Sequence, residues 1–551
     1  MIEQIQNINP KELKDLSQLQ DLIVLFMNVV ESQSKELKEL RAENQELRNE
    51  VNRLKGEHGD LAPKTPKTNP TNTRSNKEKK KAKKKNNKRG PKNPKIKIDR
   101  IVKCEIDKSV LPADAKFQGY KEVIQQDIII QRNNTLFKIP TYYSKKENRT
   151  YRGQLPEDYQ GQFGGQLKSW VQLLHHYCDV THGRLKALFD NIGILISTGT
   201  ISNILLSNVE VMKSESRAIL RSGIEQDKFA QSDGTKGWEA GQGKSTQIIC
   251  GPSYTVYHTM ASKSKGNIIW ALQGKPGKSI PLRYDTLAVE LLAGSKVPKK
   301  DQKLLSQLLK ADQHYSLESF ESLLAEQAAH LLEKQSHAKV VEILALAHYF
   351  GQAEFPILQN LLTDAGPEYI GIALGHGLCW LHEERHYKKM VPVLKVNQLA
   401  LNEVRGKIWD FYGKLLDFKE LSPAQQHQQK QKQKLEKEFE QIFTTMTDYN
   451  DLNNRLQKTF AKKEKLLRVL DFPDLPLHNN AAELAVRRKV RKRDISLHTM
   501  SSKGTEAQDA FMSVIETAAK LGVNALDYLY DRIIGRNQMP HLADLIKLNT
   551  L

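Results

Sequence analysis

The chain has 551 residues, a formal net charge of +20 and a pI near 9.4, enough length for several domains and a charge balance that points to a polyanionic partner. Its four cysteines (Cys104, Cys178, Cys250, Cys379) lie far apart, which excludes a disulfide-framed secreted module and a zinc-finger pair. The opening Met1-Ile2-Glu3-Gln4 is not a signal peptide, and the run from Leu22 to Met27 is too short to cross a bilayer. A cytoplasmic, nucleoid-associated protein with no membrane partner is expected.

Residues 1–57 carry a heptad. Its a positions are Leu16, Ile23, Val30, Leu37, Asn44 and Val51; its d positions are Leu19, Phe26, Gln33, Leu40, Leu47 and Leu54. This predicts a coiled coil that forms a homodimer or higher oligomer, with Asn44 favouring a parallel dimer in one register. The other reading is one long amphipathic helix packed on its own protein. Residues 58–100 are dense in lysine, include Arg89-Gly90-Pro91-Lys92, and have almost nothing to bury. They predict a disordered basic arm whose Arg89 and Lys92 bind DNA, through phosphates or as a minor-groove insert.

Residues 101–158 read as a small β-rich module, with β-like runs at Val123-Ile124, Asp127–Ile130 and Leu136–Ile139. From 159 to 222 the pattern is helical. Ile192-Gly193-Ile194, then Ser197-Thr198 opening a second helix, fits a helix-turn-helix as well as it fits ordinary packed helices.

Residues 223–390 open with three predicted strands. Lys228–Thr235 carries Asp233; Ser245–Cys250 and Tyr254–Met260 follow, with a Gly251-Pro252-Ser253 turn. Residues 281–350 read as a helical, polar insertion. Phe355–Gly366 is a further apolar strand, ending on Asp364. Ile370–Leu378 is another apolar run, leading into the helix Cys379-Trp380-Leu381-His382-Glu383-Glu384-Arg385-His386. Residues 391–470 form a charged helical insertion, and 471–551 close the chain. There Pro476-Leu477-His478-Asn479-Asn480 leads into a helix with one carboxylate, Glu483, and Asn480 as the expected cap. A basic ridge follows: Arg487, Arg488, Lys489, Arg491, Lys492, Arg493. Glu483 reads as a metal ligand beside a polyanion or, more simply, as the i,i+4 ion-pair partner of Arg487.

Two strand-terminal aspartates and a helical glutamate are the oxygen ligands that magnesium prefers, and two such ions suit phosphoryl transfer. Cys379, His382 and His386 could form half a zinc site but lack a fourth ligand, so packing and positioning are the expected roles.

Several motifs together resemble the insertion-sequence-66 family of DDE transposases. His478-Asn479-Asn480-Ala481-Ala482-Glu483-Leu484-Ala485-Val486-Arg487 is similar to its Asn-Asn…Glu signature. Cys379-Trp380-Leu381-His382-Glu383-Glu384-Arg385 is similar to its Cys-Trp-x-His-x-x-Arg motif. Leu362-Thr363-Asp364-Ala365-Gly366 resembles the strand with the second Asp, and Ser513–Ala518 with Gly522-Val523 resembles the family's ending. The resemblance implies an α/β (α+β) protein with an RNase H-like core broken by helical insertions. It also implies Asp233, Asp364 and Glu483 as catalytic residues and ligands of two Mg2+ ions, with Mn2+ as a substitute. Activity on double-stranded DNA at transposon ends and targets would follow, with Arg487 and Arg493 at family positions facing the DNA; Arg488 is expected beside them from the basic ridge alone. Its alternative is a catalytically inactive DNA-binding derivative. A second rival is a coiled-coil scaffold whose basic arm binds RNA. Four features depart from the family, one being residues 281–350, which look longer than its usual connection. Cys104 stands alone where a cysteine-rich segment is usual, so that region reads as a degenerate zinc-binding one. Leu484 replaces the Arg after the glutamate, and Arg488 replaces the family Pro.

Overall fold

The computed structural model describes residues 16–54, 96–104, 115–116, 120, 122–156, 159, 161–275, 277–334, 336–426 and 428–548. Arg89 and Lys92, and with them the basic arm, lie outside the described residues. Contacts divide the chain into two units. One is 1–73, 156–186 and 197–551; the other is 74–155 and 187–196.

The larger unit contains a five-stranded sheet. Its strands are β1 (Ala230–Glu239), β2 (Gln242–Cys250), β3 (Thr255–Met260), β4 (Asn360–Thr363) and β5 (Gly375–Leu378), in spatial order β3-β2-β1-β4-β5. The first three form the expected antiparallel meander, while β4 and β5 run parallel to β1. This is an α+β arrangement with a mixed sheet. Helices used below are α1 (Leu16–Leu54), α2 (Gly165–His176), α3 (Trp380–Lys388), α4 (Asn480–Ser496) and α5 (Ser502–Lys520).

Helix α5 solves the edge problem of β3. The β3 amides of Thr255, Tyr257 and Thr259 donate to Thr517 Oγ1 (3.1 Å), Ser513 Oγ (2.9 Å) and Asp509 Oδ2 (2.5 Å). Steps of four on a helix advance about 6 Å and steps of two on a strand about 6.6 Å, so the two rows stay matched. An open edge is thereby closed to other strands. Helix α4 covers the other side of β1 and β2, where Ile248, Cys250, Tyr257, Ala482, Ala485 and Met512 form one apolar cluster. The small alanines let the helix backbone approach the sheet; Tyr257 Oη donates to the Ala485 carbonyl at 3.3 Å.

Residues 281–350 are helical, as expected, but not a polar appendage. They include a two-stranded sheet (Pro281–Tyr284 with Gln313–Ser316), and Leu282, Leu292, Phe320, Ile343 and Leu344 are buried in the main core. Their apolar residues are scattered at helical spacing among charges, which lowers the average without removing the buried face. Residues 391–470 pack with α3 into a second core around Trp380, Phe411, Phe439 and Phe443.

Helix α1 matches the predicted span where described. Leu16, Leu19, Ile23, Phe26, Val30, Leu37, Leu40 and Leu47 are all exposed. The helix instead docks through polar side chains between those rows. Asn28 Nδ2 donates to the Asp448 carbonyl (2.8 Å) and its Oδ1 accepts from the Asn450 amide (2.8 Å). Glu31 accepts from the amides of Val393 and Leu394 and from Asn397 Nδ2.

In the smaller unit the expected strands at 123–139 do not form. Val123, Ile128, Ile129, Ile130 and Leu136 are exposed without regular structure, because no described residue covers them to convert β-propensity into a sheet. The strands there are Thr141–Ser144 and Arg149–Arg152, paired as a hairpin. Helix His182–Ile192 forms, and in the larger unit helix Thr198–Leu205 is capped by Ser197 Oγ, which accepts from Thr200 N (3.0 Å).

Among the described residues, no helix is long and apolar enough to cross a membrane.

Candidate active site

The sheet brings the first two carboxylates together. Gln231 of β1 pairs with Leu362 of β4 in parallel register. Two residues further along each strand stand Asp233 and Asp364. A step of two keeps a side chain on the same face, and neighbouring strands lie about 4.8 Å apart. Asp364 directly follows the end of β4 as the sequence cue predicts, but Asp233 does not end its strand: β1 runs on to Glu239, because its hairpin pairing with β2 continues past the point where β4 stops.

The third carboxylate arrives through the Asn-Asn motif. The helix cap is Asn479, not Asn480 as expected, and its side chain makes no capping bond. It is fully buried and donates from Nδ2 to the Ser232 carbonyl of β1 at 2.8 Å. Its amide donates to Cys379 Sγ at 3.3 Å, and the Ala481 amide to Gln231 Oε1 at 3.2 Å. These bonds pin the start of α4 onto β1 one residue from Asp233, and the first turn then carries Glu483.

The electrostatics show that the three groups feel one another. Burial first, then the charges of Asp364 and Glu483, push the Asp233 carboxyl up to about 6, against the Gly234 amide (2.7 Å) and Lys263. Asp364 Oδ1 is buried without a hydrogen-bond partner. Converging carboxylates with an unsatisfied buried oxygen fit a hard divalent cation, whose charge would reverse the penalty of gathering them.

Cations surround the group. Lys263 pairs with Glu368 (2.6 Å) and lies over the Tyr369 ring. Burial disfavours its charge, but Tyr369, Glu368 and Asp364 outweigh that and hold it above the ordinary lysine value. Nothing in the sequence singled it out, since it lies in a loop and only the fold turns it toward Asp364.

The Cys-Trp-x-His-x-x-Arg motif converges on Glu483. His382 Nδ1 is 3.7 Å from Glu483 Oε1, and Arg385 Nη2 is 3.4 Å from the same atom. Arg385 Nη1 also donates to His382 Nε2 at 2.8 Å, which leaves Nδ1 as the protonated nitrogen facing the carboxylate. Cys379 Sγ, a His382 nitrogen and a Glu483 oxygen lie within 4.8 Å of one another, the only such group of potential ligands among the described residues. Burial pushes the Cys379 thiol up to about 11, although backbone amides favour its thiolate. A protonated thiol packed under the α4 start accounts for that residue. His376 Nε2 instead meets Thr363 Oγ1 at 2.8 Å.

The basic ridge is divided by the fold. Arg487 makes the expected i,i+4 contact with Glu483 (3.7 Å) and is partly exposed. Arg488 pairs with Glu516 and lies over Tyr177. Arg493 donates to the Lys236 carbonyl and to Thr235 Oγ1. Lys489 is tied to Gln508 Oε1 (2.6 Å) and Asp509 Oδ1 (2.7 Å) in the interior, and Lys492 Nζ donates to the His175 carbonyl.

The site is therefore a carboxylate centre on a mixed sheet, bordered by cations. Residues 362–507 match the model of the Transposase IS66 family. That segment, which holds Asp364 and Glu483, is thus similar to the IS66 transposases. The chain is also 29% identical over 321 residues to "Uncharacterized protein y4jO" of Sinorhizobium fredii (strain NBRC 101917 / NGR234), covering 57% of this chain and 94% of that protein. No solved structure matches.

Proposed function

We propose that the chain is the DNA transposase of an insertion sequence, cutting and joining strands at transposon ends through Asp233, Asp364 and Glu483. The observation that carries this is the convergence of the three carboxylates, read by Asp233, whose carboxyl responds to both others. The strand order, with an antiparallel meander continued by two parallel strands, supports an RNase H-like reading of the core.

Asp233, Asp364 and Glu483 would hold Mg2+, with Mn2+ as a substitute; two bound ions supply activation of the attacking oxygen and charge neutralisation at the phosphate. The chain's own residues do the rest. Asn479 and Gln231 fix α4 on β1 so that Glu483 faces the aspartates. Lys263 offsets charge beside Asp364. Arg385 and His382 hold the Glu483 carboxylate, and partly exposed Arg385 and Arg487 are placed to meet a substrate phosphate. Arg488 and Arg493 can reach DNA only by sharing or releasing the contacts that engage them in the fold. The net charge of +20 and the basic arm with Arg89 and Lys92 supply affinity for duplex DNA that falls with salt.

Cleavage of end-bearing duplex with Mg2+, compared between wild type and Glu483→Gln, tests the assignment. Equal cleavage would sink it, and no cleavage by either would favour the inactive DNA-binding derivative. Competition between duplex DNA and RNA would expose an RNA scaffold. The uncovered a/d stripe of α1 supports a homodimer through a coiled coil. Asn44→Leu should then tighten association and loosen oligomer number in sedimentation equilibrium; an unchanged mass and melting curve would count against that dimer.

A further inference from the structure

A separate cavity of about 660 Å³ opens between α2, the turn end of the β1–β2 hairpin, the carboxy-terminal half of α4 and the loop into α5. Its walls include histidines, lysines and an arginine but, among the described residues, no Asp or Glu, in a chain that has 64 of them. His176 lies in the wall, only 5% exposed, and neither ring nitrogen has a hydrogen-bond partner. It stacks on Phe511 with ring centroids 5.0 Å apart. Both nitrogens are closed off from the cavity, so the ring contributes to its wall by packing.

The mouth of the cavity is apolar and exposed. Trp238 is 53% exposed, Leu497 70% and Met500 75%. Leu497 has φ 60° and ψ −108°, a conformation that a bulky side chain adopts only when its surroundings impose it. The imposing contact is visible: the Thr499 carbonyl accepts from the Ala240 amide at 2.8 Å, fastening the loop to the hairpin turn. Lys236 and Arg493 flank the opening.

We propose that this cavity receives one nucleotide displaced from a DNA duplex, with Leu497 and Met500 as the wedge that opens the stack. A displaced base offers a flat apolar face and an edge with both donors and acceptors. Trp238 supplies a surface for the face. Lys236 suits the phosphate, and Arg493 joins it by releasing Asp494 Oδ1 (3.7 Å) and the Lys236 carbonyl. Exposed apolar side chains at a cationic surface are the groups that enter between base steps.

The distance to the carboxylates is set by two shared elements. From Glu483 to Arg493 along α4 is about 15 Å, and from Asp233 to Trp238 along β1 about 16 Å. At 3.4 Å per step the displaced nucleotide lies roughly four to five positions from the phosphate at the carboxylates.

The proposal rests on the transposase reading for its DNA. Its test uses the full-length chain, with EDTA present, on duplexes spanning an inverted repeat beside the gene, with thymine placed in turn at each position. Permanganate should react strongly at one or two adjacent positions in the complex alone. Leu497→Ser combined with Met500→Ser should abolish that reactivity, and Trp238→Ala should weaken binding roughly tenfold. These side chains are exposed, and thermal melting checks that the variants fold. Tight duplex binding with no reactive thymine, unchanged in the variants, would overturn the cavity assignment and leave the transposase reading standing. Failure to bind duplex at all would overturn both. AMP binding that is lost in Trp238→Ala, without thymine exposure in DNA, would make this a free-nucleotide site and overturn the duplex-opening role.

Discussion

The two ends of helix α4 are built from one continuous stretch of sequence but live under opposite physical rules. At its start a carboxylate is brought toward two others, a costly arrangement with only partial compensation from Arg385, His382 and Arg487. Toward its end lysines are buried with partners or carbonyls, and the cost is met inside the fold: Lys489 on Asp509, Lys492 on the His175 carbonyl. A charged group with its compensation left open suits ligand binding; one closed internally is architecture. The comparison also separates residues that look alike in sequence. Lys489 and Arg487 sit in one basic ridge, yet one is core and the other faces the carboxylates.

The largest expected effect lies at the open end. Glu483→Gln should lower end cleavage by more than about a hundredfold while the melting temperature changes little, since removal of even supporting groups costs tenfold to a hundredfold at metal centres. At the closed end the balance reverses. Lys489→Met should destabilise the fold by about 3 kcal/mol in denaturant titration, because it strips the closest cation from the buried Asp509 carboxylate. A loss below about 1 kcal/mol would show that Lys275, which also lowers the Asp509 value, suffices.

Asp233→Asn should do the opposite of Lys489→Met. The Asp233 carboxyl is raised from 3.8 to about 6 in the fold, so the folded state holds its proton more tightly than the unfolded chain. Stability from this group is complete below pH 4 and is lost as pH rises toward and through 6. Without metal, the substitution should therefore stabilise the protein by about 1–3 kcal/mol at pH 7, and by little at pH 4. Mg2+ should raise the melting temperature of the wild type and not of the variant. A variant that gains nothing at pH 7 would mean that the carboxylates are already compensated.

The smallest effect is expected at Arg385→Gln. Arg385 is 40% exposed, so its contact with Glu483 is worth under about 1 kcal/mol. Its removal should tighten Mg2+ binding up to about fivefold in calorimetry without DNA. Weaker binding instead would make Arg385 a support for the metal-ready carboxylate rather than a competitor.

Much of this was legible in the chain before any coordinates. The strands that carry Asp233 and lead to Asp364, the meander that begins at the first, the helix bearing Glu483 and the stripe of α1 are local patterns, set by periodicities of 2, 3.6 and 3.5 that neighbouring residues alone express, although the first strand runs on past Asp233 to Glu239. The β-like runs at 123–139 misled because propensity needs a partner surface, and no described residue covers them. The helical 281–350 segment was legible as helix but not as core, because burial depends on what packs against a face.

What the tertiary structure alone decided is pairing over long separations. The parallel register of β1 with β4 puts Asp233 beside Asp364. Asn479, read from the sequence as a residue before a cap, is the bolt that joins α4 to Ser232. Lys263, His382 and Arg385 reach the carboxylates from a loop and a neighbouring helix, and the ridge after Glu483 divides into surface and interior. Charge attraction and burial act through space, so residues more than a hundred positions apart set each other's state, and sequence spacing carries no record of that.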